Sequence, residues 1–336
     1  MIISRTPFRI SFFGGGTDYP VWYRENGGAV LATTINKYCY ITCRYLPPFF
    51  EHKFRVSYAV IENVKEIAQI RHPAVRACLD FMKIKHGVEI HYDGDLPSRS
   101  GIGSSSSFTV GLLHALFALK GRMPTKRQLA LDAIKIEQEI LKENVGSQDQ
   151  ALAAFGGFNL IEFGGKDKIQ LRPVTISSHR LELFQKHLML FFTGISRNSS
   201  EIAKEQVNKT LHKKKELRMM LQLLNRGLDV LNSNSDICEF GKLLAENWRI
   251  KQTLSSRITL ARIDEIYAKA LRAGAIGGKI LGAGGGGFML FFARPEVQPR
   301  IKKALKDILY VPFRFENLGS QIIFYSVYDR PERFNE

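Results

Sequence analysis

Apolar and polar residues alternate over Phe8-Arg9-Ile10-Ser11-Phe12, which predicts a strand that ends at Gly14-Gly15-Gly16. A second β-rich run covers residues 38–45. Residues 72–86 switch to helical spacing: Pro73 suits a first turn, Val75, Cys78, Leu79 and Met82 share a face, and Gly87 ends the run. Residues 88–92 alternate again as a strand. A Gly/Ser-rich loop follows, then an apolar helix over 108–120 that Gly121 stops. Thr125 and Gln128 form a capping box that opens a helix to about residue 143, and Ser147 to Gln150 form another that opens a short helix stopped by Gly156-Gly157. Strands are expected at 158–163 and 168–171. The polar stretch Ser177-Ser178-His179-Arg180 is the expected boundary between a domain over 1–180 and another over 181–336. The second half predicts a strand at 188–192, helices at 199–232, 236–254 and 264–272, a strand at 288–292, a helix at 295–309 and a strand at 321–328. Both halves are mixed α+β.

The chain has 336 residues, 45% of them apolar and 24% charged, which suits two globular domains and excludes a disordered or fibrous protein. No charge-free apolar run approaches the ~18 residues of a membrane span. The first residues lead straight into strand-like sequence, with no secretory pattern. Cys39, Cys43, Cys78 and Cys238 form no CxxC pair, so reduced thiols in a cytoplasmic protein are expected, without zinc. Charge changes the picture. Lys plus Arg number 48 against 32 Asp plus Glu, a formal +16, so anionic partners are expected. The basic residues are dispersed, and the densest run, His212-Lys213-Lys214-Lys215, has no interleaved aromatics, so it reads as a solvated helix face rather than a nucleic-acid patch.

Chemistry concentrates in three glycine-rich segments and two carboxylates. Residues 95–107 (DLPSRSGIGSSSS) lead directly into the apolar helix. Small residues let the backbone approach a ligand, and the free N–H groups of a helix start attract anions, so this segment reads as a phosphate loop. No GxxxxGK[ST] is present. Gly282 to Gly287 match GxGxxG, but a strand follows where a dinucleotide fold needs a helix, which excludes that fold. Glu137 has Ala133, Ile134, Ile140 and Leu141 as its helical neighbours, so it faces the packed side. A buried carboxylate needs a cation: a nearby Arg or Lys, or the metal that the serine-rich loop favours. Asp149 lies in a helix first turn, where it interacts favourably with the helix dipole, and Arg9 lies mid-strand.

Together these segments resemble the GHMP small-molecule kinase superfamily of galactokinase, homoserine, mevalonate and phosphomevalonate kinases. Residues 6–20 (TPFRISFFGGGTDYP), 97–107 and 282–288 occur in the family's order and span most of the chain. The resemblance implies a ribosomal-S5-like N-terminal domain and a ferredoxin-like C-terminal domain with the site between them. It implies that Pro97, Gly101, Gly103, Ser104, Ser105 and Ser106 hold ATP. Ser105 and Glu137 would hold Mg2+, and Asp149 would act as the base with Arg9 offsetting charge. On the substrate side it points to Gly15, Gly16, Asp18, Arg197, Gly284 and Gly285. Where galactokinases carry GEHTDY, this chain has Gly14-Gly15-Gly16-Thr17-Asp18-Tyr19, similar to the bacterial D-glycero-D-manno-heptose 7-phosphate kinases. A sugar already carrying phosphate, phosphorylated at its anomeric hydroxyl, would suit the basic surface. The competing readings are a kinase for another sugar of the galactose or fucose type and a non-catalytic RNA- or sugar-binding protein on the same fold. A homodimer is left open; nucleic-acid and membrane partners are not expected.

Overall fold

The computed structural model describes residues 1–165, 168–195 and 199–326. Its spine is an 18-residue strand, Gly28–Tyr45, paired antiparallel along one edge with Ile2–Phe13. On its other edge the first half pairs with Phe158–Gly164 and the second half with Val88–Gly94. Phe54–Ser57, Ile61–Val64, Lys168–Pro173, Phe315–Glu316 and Gln321–Tyr325 complete a nine-stranded sheet. Thr6 to Phe13 are all buried, so this strand is covered on both faces and its alternation does not send Arg9 to solvent. The four-stranded second sheet runs Leu309–Tyr310, Leu188–Phe192, Phe288–Phe292, Gly277–Ile280, all antiparallel. In chain order that is fourth, first, third, second, the ferredoxin-like arrangement. The fold class is therefore the expected one.

Several expectations change. The two strands after residue 312 return to the first sheet, so a cut at residue 180 does not separate the sheets. Ser177 does not open a linker; its hydroxyl accepts from Arg180 N at 3.2 Å and caps the helix Ser178–Lys186. Thr125 caps its helix, but Gln128 reaches forward to Asp132 at 2.7 Å instead of back. Ser147 does not cap at all; its hydroxyl meets Tyr23 and Gln138, each at 3.1 Å. The helix from Lys126 turns into a π-helical turn at Ile136–Ile140. Long helices expected at 199–232 and 295–309 are shorter: 3-10 turns interrupt or precede them. Among the described residues, no helix is long and apolar enough to cross a membrane.

The two sheets are joined by aromatic packing. The Phe184 ring lies 5.3 Å from Phe12, 5.8 Å from Phe158 and 5.9 Å from Phe315 on one side, and 4.6 Å from Phe240 and 6.1 Å from Phe292 on the other. Phe184 is fully buried. Phe184→Ala should cost about 3–5 kcal/mol in urea unfolding, because the cavity opens at the junction of both halves. A loss under about 1 kcal/mol would show that the halves are held together elsewhere.

Candidate active site

Arg9 sits mid-strand with 4% exposure, so its guanidinium must be satisfied from within. Nε donates to Asp149 Oδ1 at 2.7 Å, the second terminal nitrogen to Oδ2 at 2.8 Å, and the first to Gly101 O at 2.6 Å. This is a bidentate fork. The side chain of Asp149 is 22% exposed against 5% for Arg9, so the carboxylate is the part of the pair a substrate can reach. Asp149 is placed by the short helix Gln148–Phe155. Gly103 covers the pair: a Cβ there would lie 3.2 Å from Arg9 Cγ and 3.3 Å from Asp149 Oδ2, and its φ of +75° suits glycine.

Gly103 also caps the helix Ser104–Leu119, which starts four residues earlier than its apolar run. The serines are thus its first turn, with its free N–H groups. Each does something different. Ser104 Oγ accepts from Arg99 N at 3.1 Å, Ser107 donates to Pro7 O at 2.9 Å, and Ser106 donates to Glu137 Oε2 at 2.8 Å. Ser105, expected as a Mg2+ ligand together with Glu137, is exposed, and the hydroxyl that bonds Glu137 directly is that of Ser106. Helical geometry explains this, since consecutive residues point about 100° apart. Pro97 is exposed and its carbonyl accepts from Ser100 at 2.6 Å.

Glu137 is 1% exposed, as its neighbours predicted. Among the described residues no Arg or Lys pairs with it; Oε2 accepts from Ser106 and Gln150, and Oε1 has no hydrogen-bond partner. The π turn brings it there while rotating Ile140, expected on the same face, to 46% exposure. Burial pushes the carboxyl up to about 7, against the opposing influence of the Thr109, Ser106 and Gln150 side chains.

The first and third motifs press onto this core. Asp18 is 2% exposed; Oδ1 accepts from Gly16 N at 2.9 Å, and its carbonyl accepts from Ser147 N at 3.0 Å. A Cβ on Gly146 would lie 1.9 Å from Asp18 Oδ2, so only glycine fits. Burial, then the nearby Asp149, raise the Asp18 carboxyl against the Gly16 hydrogen bond. Asp18 therefore shapes the floor of the cleft. Gly15 lies beside Ser11 and Gln148, and Gly16 lines a pocket with Tyr19, Gln206, Thr210, Lys213, Leu217 and Leu254. In the third motif a Cβ on Gly282 would come 2.5 Å from Gly101 Cα, and one on Gly287 would come 2.0 Å from Ser100 O. Gly284 and Gly285 lie against Ile258, with Gly285 N donating to Ile258 O at 2.7 Å. Arg197 falls outside the described residues.

Two lysines join the cluster without having been expected. Lys279 donates to Ser11 O at 2.8 Å and Phe12 O at 2.9 Å; Lys251 donates to the carbonyls of Gly282 and Ile280. Their side chains are buried. Burial, with Arg9 adding to it, lowers Lys251 to about 7 and Lys279 well below the ordinary lysine range. Both were legible by the reasoning applied to Glu137: Lys251 follows Leu244, Asn247 and Trp248 on one helical face, and Lys279 interrupts the apolar strand Gly277–Ile280. The pocket-lining Gln206, Thr210 and Lys213 had no such mark.

The GHMP kinases N terminal domain model matches residues 64–157 and the GHMP kinases C terminal model matches 220–311. The chain is 30% identical over 317 residues to a D-glycero-alpha-D-manno-heptose 7-phosphate kinase of Campylobacter jejuni, covering 91% of this chain and 93% of that protein. It is 27% identical to a galactokinase of Pyrococcus furiosus over 323 residues, 85% of this chain and 87% of that one. A solved D-glycero-D-manno-heptose 1-phosphate kinase from Bacteroides thetaiotaomicron shares the fold with a TM-score of 0.72 at 23% identity, covering 98% and 100% of the two chains. The two family models span over half of the sequence and the ordered motifs fall on one cleft, so this chain belongs to the GHMP kinase family.

Proposed function

We propose that this kinase transfers the γ-phosphoryl group of ATP to the anomeric hydroxyl of D-glycero-D-manno-heptose 7-phosphate, giving the 1,7-bisphosphate and ADP. The observation that carries the reading is the bidentate Arg9–Asp149 pair directly beneath Gly103 at the phosphate-loop helix start. The similarity to a heptose 7-phosphate kinase and the formal charge of +16 support a phosphorylated sugar. Lys213, ion-paired with Glu216 at 3.0 Å, lines the pocket beside Gly16 and Tyr19.

The first-turn N–H groups of Ser104 to Ser106 and the flanking glycines receive the nucleotide phosphates; Ser107 N already donates to Gly103 O at 2.9 Å. Asp149 accepts the proton of the anomeric hydroxyl as its oxygen bonds to the γ-phosphorus and the bond to the β–γ bridging oxygen breaks. Arg9 holds both Asp149 oxygens, which fixes the carboxylate's orientation before substrate arrives. Phosphoryl transfer depends mostly on such positioning and on electrostatics. Glu137 Oε1, buried and without a hydrogen-bond partner, suits a divalent cation, and the exposed Ser105 hydroxyl is available in the adjoining turn. Mg2+ is held chiefly by nucleotide phosphates plus one or two protein oxygens, and would neutralise charge on the β and γ oxygens.

Incubation with ATP, magnesium and either heptose 7-phosphate, heptose or galactose tests the substrate. Phosphorus NMR should show a new anomeric phosphate with the heptose phosphate; preference for an unphosphorylated sugar would reject the assignment. Asp149→Asn keeps the shape but cannot take a proton, so kcat should fall about 10²–10⁴-fold with little change in nucleotide Kd. Near-normal turnover would remove Asp149 as the base.

Glu137 gives a pH test without turnover. Its carboxyl is raised by burial to about 7, above its unfolded value, so its stability contribution is complete at acid pH and is lost as pH rises towards and through 7. Metal-free protein should therefore lose melting temperature over that interval, and Glu137→Gln should flatten the loss. MgADP binds the ionised form and should weaken in wild type as pH falls below 7. A Gln variant with unchanged magnesium dependence would show that Glu137 serves packing alone.

A further inference from the structure

The first strand has an open edge. Gln321–Tyr325 pairs with it only at Ile2 to Arg5, and Gly28–Tyr45 occupies the other side. From Thr6 onward the main-chain groups of the open edge need partners from elsewhere. Arg9 N donates to Ile102 O of the phosphate loop at 3.1 Å. Further along, Lys279 reaches across from the second sheet to the carbonyls of Ser11 and Phe12. Those residues lead directly into Gly14–Asp18, the loop beneath the sugar pocket. Lys251 does the corresponding work on the nucleotide side. Its ammonium group holds the Gly282 carbonyl, and Gly282 lies backbone against backbone on Gly101, whose carbonyl in turn accepts from Arg9.

We propose that Lys279 and Lys251 are positioning residues that set the two sides of the cleft separately, Lys279 the loop that receives the sugar and Lys251 the loop that receives the nucleotide. A buried lysine nitrogen suits this role. It reaches several carbonyls at once, and an apolar residue of the same length would remove those bonds, leaving Phe12 O only the 3.5 Å contact from Asn247 Nδ2. The proposal rests on the heptose phosphate reading only for the sugar side.

The test compares Lys251→Met and Lys279→Met, with Lys251→Gln and Lys279→Gln as variants that keep a donor. Calorimetry reads the Kd of a non-hydrolysable ATP analogue with magnesium; steady-state kinetics reads KM for heptose 7-phosphate. Lys251→Met should weaken the analogue about 10- to 100-fold while KM for the sugar phosphate stays within about twofold. Lys279→Met should do the reverse. Each Gln variant should recover part of its own loss and none of the other. Equal losses of both ligands in step with melting temperature would overturn the proposal in favour of a purely structural role, as would unchanged ligand binding in both variants. If the Met variants do not fold, the same split is read between the two Gln variants. If heptose 7-phosphate is not turned over, the nucleotide Kd still decides the Lys251 half, so the two failures remain distinct.

Discussion

Arg9 places a full positive charge inside a strand that is covered on both faces, and the cleft is organised by how that charge is satisfied. Its fork takes both oxygens of Asp149, and its other terminal nitrogen donates to Gly101 O. One side chain thus ties the first strand, the 95–107 loop and the helix that carries Asp149 together. Breaking a buried pair of this kind typically costs 3–5 kcal/mol, because a charge is left unpaired, so the geometry is strongly held. Gly103 and Gly146 follow from this constraint: each lies where a methyl group would strike Asp149, Arg9 or Asp18.

The charges around this pair are arranged for anionic ligands. The helix start of Ser104–Leu119 contributes N–H groups and the positive end of its dipole. Lys251 and Lys279 stand behind the third and first motifs as donors to carbonyl oxygens, and burial holds their charge down. Glu137 is the exception, a buried acid whose second oxygen lacks a partner among donors of the protein. A cation arriving with the nucleotide phosphates would satisfy it, and that accounts for a carboxylate being kept among apolar neighbours.

How legible this was depends on the range of the interaction. Local periodicity revealed the core strands, the apolar helix and the inward-facing Glu137, because burial on one face writes itself into spacing. It failed where a tertiary partner decides the outcome. Arg9 was legible from periodicity only as a mid-strand residue, because the second layer covering its strand is remote in sequence. The serines looked like a loop because small polar residues are poor helix formers, yet here they form the first turn of the helix behind its N-cap Gly103. That Ser106 is the serine bonded to Glu137 was not legible, because the angle of a helix start is not written in a motif. The return of Phe315–Glu316 and Gln321–Tyr325 to the first sheet rests on pairings with Ile35 and Ile2, hundreds of residues away. Ordered motifs carried the family resemblance that single segments could not.

The central claim is that Arg9 and Asp149 act as one unit in phosphoryl transfer. A double-mutant cycle on kcat/KM with Arg9→Met, Asp149→Asn and the combined variant measures this directly. Groups that work as a unit are grossly non-additive, so the double variant should be no slower than the worse single variant by more than about threefold. Losses that multiply fully, each residue contributing independently, would contradict the account.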